Sequence, residues 1–146
     1  MIQHEVSVHL NQPVGLVFAF LMDTGKLTSW QTNLIKIEQI TEGPLHTGSR
    51  FHEVRRLGRK EAAIEGEVTA FEPNKRLETK TLSEPHVVVS YFFEAEDGGT
   101  RLTRRFVMPT PGLTRLMEPI IGSSIKKDTV ADFETLKQML ENYSTL

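Results

Sequence analysis

Apolar residues alternate with polar ones in seven separate stretches of this chain, and the alternation gives way to helical spacing in only two places. In residues 2–10, Ile2, His4, Val6, Val8 and Leu10 fall on one side and Gln3, Glu5, Ser7 and His9 on the other, as in a strand with one buried face. Val14, Val17, Phe18, Leu21 and Met22 then recur at helical spacing, with Asn11 as the expected cap and Pro13 suited to the first turn. Asp23-Thr24-Gly25 ends that helix, and residues 26–30 form a second short one. Six strands follow, at 33–42, 49–57, 60–72, 76–83, 86–96 and 100–108, separated by Gly-, Pro-, Asn- and Asp-rich turns. Asp97-Gly98-Gly99 is the strongest hairpin signal, because these residues tolerate positive φ.

The last segment changes period. Leu113, Leu116, Met117, Ile120, Ile121, Ile125, Phe133, Leu136 and Leu140 form one helical stripe. Pro119 does not fit a helix interior, so a lead-in over 113–118 is expected before a main helix from about Pro119 to Asn142. Such a helix is roughly 36 Å long and a ten-residue strand roughly 33 Å, so the helix can span the sheet. Seven strands with one apolar face need a cover, and this helix is the only long one. A twisted sheet touches a straight helix along a line, so space for a small organic molecule is expected between them. The two short helices plug one end.

Composition narrows the function classes. The 146 residues suit one domain over 1–146, 38% are apolar and 25% charged, and no repeat or linker interrupts them. Lys and Arg number 17 against 19 Asp and Glu, a formal charge of −2 that argues against a general nucleic-acid binder. There is no cysteine, which removes disulfides, thiolate metal sites and a catalytic thiol. The start, Met1-Ile2-Gln3-His4-Glu5, lacks the form of a signal peptide, and no apolar run suits a membrane span, so a cytoplasmic protein without an integral membrane segment is expected.

The order of elements resembles the START-like, or SRPBCC (helix-grip), superfamily. Residues 13–23 with Trp30 resemble the opening helix pair of its polyketide cyclase/dehydrase branch. Gly43-Pro44 with Gly48-Ser49-Arg50-Phe51 resembles the first hairpin, residues 68–77 the turn of Pro, basic residue and Leu, and residues 98–103 the final hairpin. These motifs are turns, and their order and spacing carry the resemblance. It implies an α+β helix-grip fold: a seven-stranded curved antiparallel sheet around a long C-terminal helix, with two short helices after the first strand. The superfamily includes lipid carriers, receptors, co-chaperone-like proteins and a few cyclases, so fold alone leaves the function open.

The five histidines, at positions 4, 9, 46, 52 and 86, show no metal-ligand spacing, and neither a serine elbow nor a phosphate loop is present; no metal or cofactor is expected. Charged residues on strands remain. Phe51, Glu53, Arg55 and Leu57 share one face, as do Leu102, Arg104, Phe106 and Met108. Either these faces point inward, so that an Arg binds a carboxylate or phenolate oxygen and Glu53 serves as a base, or a one-residue slip leaves them solvated. Tyr91 shares a face with Val87, Val89, Phe93 and Ala95, and its hydroxyl needs a partner from the core or from a ligand. Trp30 either lines the pocket mouth or caps the core.

The expected function is binding of a small hydrophobic molecule (a lipid, isoprenoid or aromatic polyketide). Phe18, Trp30, Phe51, Tyr91, Phe93, Phe106, Met117 and Ile121 would form the wall, and Arg55 or Arg104 would orient a polar end. The alternatives are a cyclase or dehydratase using Glu53, Arg55, Tyr91 and Arg104, and a co-chaperone-like interaction module with a filled interior and an exposed apolar patch. The oligomeric state is open.

Overall fold

The computed structural model describes residues 1–143. β1 (Ile2–Leu10), α1 (Val14–Met22) and α2 (Thr24–Trp30) precede β2 (Leu34–Gln39), β3 (Arg50–Leu57), β4 (Lys60–Glu72), β5 (Arg76–Thr81), β6 (Val88–Glu96) and β7 (Gly99–Met108). A 3-10 turn over Gly112–Met117 then leads into α3 (Glu118–Tyr143). The seven strands form one antiparallel sheet in the order β1-β7-β6-β5-β4-β3-β2. This is the α+β helix-grip arrangement that the family resemblance implied.

The meander places successive strands side by side, and β1 closes it by pairing with β7 from Ile2↔Met108 to Leu10↔Thr100. The sheet edges are therefore β1 and β2, and both meet the same helical layer. α3 runs along β1, α2 runs along β2, and α2 touches α3. Thr32 and Asn33, just ahead of β2, also bond to Asp132 and Asp128 of α3 at 3.0–3.1 Å. A sheet whose opposite edges reach one helical layer must bend around it. Local chemistry supports the bend at the β6–β7 hairpin. Asp97 and Gly98 take φ of 46° and 77°, the left-handed pair that a two-residue turn of the strands' own twist requires.

Asn11 does not cap α1. Its side-chain oxygen meets His9 Nε2 at 3.1 Å, and the helix starts at Pro13, whose carbonyl accepts from Leu16 and Val17 at 3.1 Å. Gln12 explains the difference. It is buried, donates to the Leu140 carbonyl and accepts from Thr100, both at 2.8 Å, and so pins this corner to α3 and β7. α2 begins at Thr24, earlier than the spacing predicts, because the Asp23 carboxylate accepts from the Gly25 N–H at 3.1 Å and caps it.

The core joins all layers. Leu10, Val17, Leu102, Leu136 and Leu140 are wholly buried, with Phe18, Trp30, Phe93 and Phe133 packed among them. Full burial of such a side chain is worth about 1.5–3 kcal/mol. The terminal stripe divides, however. Phe133, Leu136 and Leu140 are buried, Ile121 and Ile125 are half-buried, and Leu113, Leu116, Met117 and Ile120 face solvent, at 84%, 77%, 47% and 65% exposure. The 3-10 turn winds differently from α3, so the single helical stripe expected from 113 onward is not continuous across the junction. The α3 backbone comes nearest to β1, and Phe51, Ile64, Leu77 and Val89 on the inner face are only half-buried.

Candidate functional site

The register settles which strand faces turn inward. On β3, Phe51, Glu53 and Arg55 lie opposite Gly66, Ile64 and Ala62 of β4. On β6 and β7, Tyr91 pairs with Arg104 and Phe93 with Leu102, and Phe93 and Leu102 belong to the core. Arg55 and Arg104, from strands far apart in the sheet order, therefore share the concave face with Tyr91.

Beneath Trp30 these residues border one small cleft of about 30 Å³. Trp30 and Gln31 come from the end of α2, Arg55 from β3, Tyr91 from β6, Arg104 from β7, and Thr129, Asp132 and Phe133 from α3. The volume holds a water molecule or two. The lining is polar and largely self-paired. Arg55 donates through Nε to Glu53 Oε1 at 2.8 Å and through Nη2 to Gln31 Oε1 at 2.8 Å. Arg104 donates through Nη1 to Thr129 Oγ1 at 2.8 Å, and its guanidinium stands 5.2 Å from the Phe106 ring centre.

Both aromatic donors are left over. The Trp30 indole N–H is buried without a hydrogen-bond partner, and the Tyr91 hydroxyl makes no hydrogen bond among the described residues. Both belong to side chains that line the cleft. One carboxylate there is also perturbed. Burial raises the Asp132 carboxyl above its ordinary value and Asp128 adds to the rise, while hydrogen bonds from Thr32 and the charge of Arg55 oppose it.

Thus Trp30, Arg55, Tyr91 and Arg104 come together at the cleft, with Glu53 buried behind Arg55. Phe18 and Phe93 instead stack edge-to-face in the core, 5.0 Å between ring centres. Phe106 is buried beneath His4, with which it stacks at 5.2 Å. Phe51 covers Gly66, where an added Cβ would lie 2.3 Å from its ring. Ile121 is half-buried outside the cleft. Met117 is not part of any wall: the 3-10 turn carries it into solvent.

Gln31, Thr129, Asp132 and Phe133 are missing from the sequence-based set. Thr129 had a readable signal, since it occupies a stripe position between Ile125 and Phe133 where an apolar residue belongs. Asp132 had none, because only tertiary packing brings it against Thr32. A wider depression of about 250 Å³ lies elsewhere, between Leu16, Phe20, Lys26 and Tyr143. Lys26 already stands over both aromatic rings there, at 5.0 and 5.3 Å. Among the described residues no cluster of three or more His, Asp or Glu suits a metal, and no helix is long and apolar enough to cross a membrane.

The family model described as polyketide cyclase / dehydrase and lipid transport matches residues 1–141. No curated protein sequence matches the chain. Solved structures share its shape at low identity. TTHA0849 from Thermus thermophilus superposes with a TM-score of 0.82 at 13% identity, over 97% of this chain and 99% of that one. The Zhui aromatase/cyclase from a Streptomyces species gives 0.76 at 15% identity, over 95% and 93%. The di-domain aromatase/cyclase StfQ of the steffimycin biosynthetic pathway gives 0.79 at 9% identity, and the match covers 99% of this chain and 52% of StfQ. At these identities the likeness is one of fold.

Proposed function

This chain belongs to the polyketide cyclase / dehydrase and lipid transport family, and on that premise we propose that it binds a small apolar molecule carrying an oxygen-rich or anionic end, with that end in the cleft beneath Trp30. The observation that carries this reading is the convergence of Arg55, Arg104, Tyr91 and an unpartnered indole N–H on one spot of a concave apolar face. Two guanidiniums and two spare donors suit a carboxylate, a phenolate or an enolate. The apolar body would lie along the half-buried inner face at Phe51, Ile64 and Val89. Polyketides and lipids, the molecules named in the family description, have this composition.

The cleft is far smaller than the roughly 300 Å³ that a drug-sized ligand needs, so binding requires it to widen. The bonds over it suit that. α3 is held there by polar contacts, Arg104 to Thr129, Thr32 to Asp132 and Asn33 to Asp128, which water can replace. Further along, Phe133, Leu136 and Leu140 anchor the same helix in the core. The first half of α3 is therefore the part that opens.

A second reading is cyclase-type catalysis. It is favoured by the raised Asp132 carboxyl and by the Tyr91 residue on the border of the same cleft, groups able to hold a proton near a bound carbonyl. Glu53 supports Arg55 in this arrangement. The third expectation, an interaction module, draws on the small cleft and the exposed apolar residues near the start of α3.

Trp30 is the only tryptophan, so its indole N–H gives a single resonance. Titration with anilinonaphthalene sulfonate, an aromatic anion, should shift that resonance, and its uncharged analogue N-phenylnaphthylamine should do so more weakly. Arg104→Leu should reduce the sulfonate response about tenfold, the effect of losing roughly 1.4 kcal/mol of charge-assisted bonding. An indole signal unmoved at saturating probe would rule the cleft out as the binding site.

A further inference from the structure

We infer that the 3-10 turn and the first turns of α3 form a docking surface for an anionic lipid bilayer. The inference goes beyond the proposed ligand cleft and does not rest on it. Leu113, Leu116, Met117 and Ile120 stand at i, i+3, i+4 and i+7, the spacing of an amphipathic helix, yet they point away from the protein, with exposures from 47% to 84%. Leu113 and Leu116, three apart on the 3-10 turn, share one face, and with Met117 and Ile120 they put four large apolar side chains into solvent within eight residues, a concentration that is uncommon on a surface that meets only water.

Charge selects the occupant. Arg115, Lys126 and Lys127 flank the stripe, are exposed, and form no ion pair among the described residues. The carboxylates of the same stretch are all engaged elsewhere. Glu118 binds the Met1 ammonium and the Thr110 hydroxyl, Asp128 binds Asn33, and Asp132 binds Thr32. The surface thus offers apolar side chains beside Lys126 and Lys127, which have no ion pair among the described residues, and Arg115, whose charge also acts on Glu118, the pairing that inserts beneath and attracts acidic headgroups. A second copy of the chain is a poorer fit, because a two-fold contact through this face would bring the cations of both copies together.

Vesicle flotation tests the assignment. The full chain should float with vesicles of phosphatidylcholine and phosphatidylserine, several-fold less with phosphatidylcholine alone, and less again as salt is raised. Leu116→Asp combined with Ile120→Asp should abolish flotation, and Lys126→Glu combined with Lys127→Glu should reduce it several-fold. These positions are exposed, and unchanged thermal melting verifies that the variants fold. Failure of the folded wild type to float with anionic vesicles overturns the proposal. So does flotation that survives both double substitutions. A wild-type dimer by sedimentation velocity that becomes monomeric in the Asp variant, with no vesicle binding, would overturn it in favour of a second copy. The indole titration, run without vesicles on the same variants, reads the cleft separately.

Discussion

Asp132 of α3 accepts both the backbone N–H and the hydroxyl of Thr32 through a single oxygen, Oδ1, at 3.1 and 3.0 Å. The contact fastens the long helix to the entry of β2 and places a half-buried carboxylate on the border of the cleft. The site makes the charge costly all the same, since burial and Asp128 raise this carboxyl above the ordinary 3.8 against the opposing hydrogen bonds from Thr32.

Linkage fixes the sign of the consequence. A raised folded-state value means that the folded protein holds its proton more tightly than the unfolded chain. Stability is therefore lost as pH rises from 3.8 through the folded value, and the deficit persists at neutral pH. Asp132→Asn retains the accepting oxygen and removes the charge. Its melting temperature at pH 7 should equal or exceed that of the wild type, with the advantage disappearing near pH 3 in a melting series.

His4 has the opposite dependence. Burial, with Arg104 and Lys126 nearby, holds its imidazole below the ordinary 6.5, and its Nε2 is buried without a partner. The unfolded chain then binds the proton first. The contribution of His4 is complete above 6.5 and is lost as pH falls through 6.5 toward the folded value. His4→Phe, which keeps the stack on Phe106, should flatten that part of the stability profile in urea unfolding measured between pH 7 and 5.

Glu53 is 8% exposed, and its bonds are to Arg55. Glu53→Ala leaves a half-buried guanidinium with Gln31 as its remaining partner, at a cost of about 1–3 kcal/mol. Arg55→Met added to that background should recover part of the loss. A chemical-denaturation cycle over the four proteins measures the coupling, and additive losses would show that the pair is not a unit.

Two glycines should respond oppositely to alanine. At Gly99 an added Cβ would lie 2.3 Å from the Leu10 carbonyl oxygen, a backbone atom that cannot turn away. Gly99→Ala should cost about 1–3 kcal/mol. At Gly15, in α1, an added Cβ meets nothing within 4 Å. Gly15→Ala should be neutral or stabilise by up to about 1 kcal/mol. Thermal melting of both variants decides it.

The alternation of Ile2 to Leu10, the return of alternation after Trp30 and the Asp97-Gly98-Gly99 turn were enough to specify seven antiparallel strands in order, because period and turn chemistry are local properties. The shared faces of Glu53 with Arg55 and of Leu102 with Arg104 were equally legible, since strand geometry alone sets them. Which way those faces point depended on pairing across the sheet. That Arg55 and Arg104 border the same cleft depended on the bend that carries both sheet edges to the helices. The outward turn of Leu113, Leu116, Met117 and Ile120 was hidden for the same reason. Their spacing is that of a buried stripe, and only the junction between the 3-10 turn and α3, with Glu118 held by Thr110 and Met1, determined the rotation that leaves them in solvent. Periodicity says that a face is apolar, whereas the three-dimensional packing of distant segments decides what, if anything, covers it.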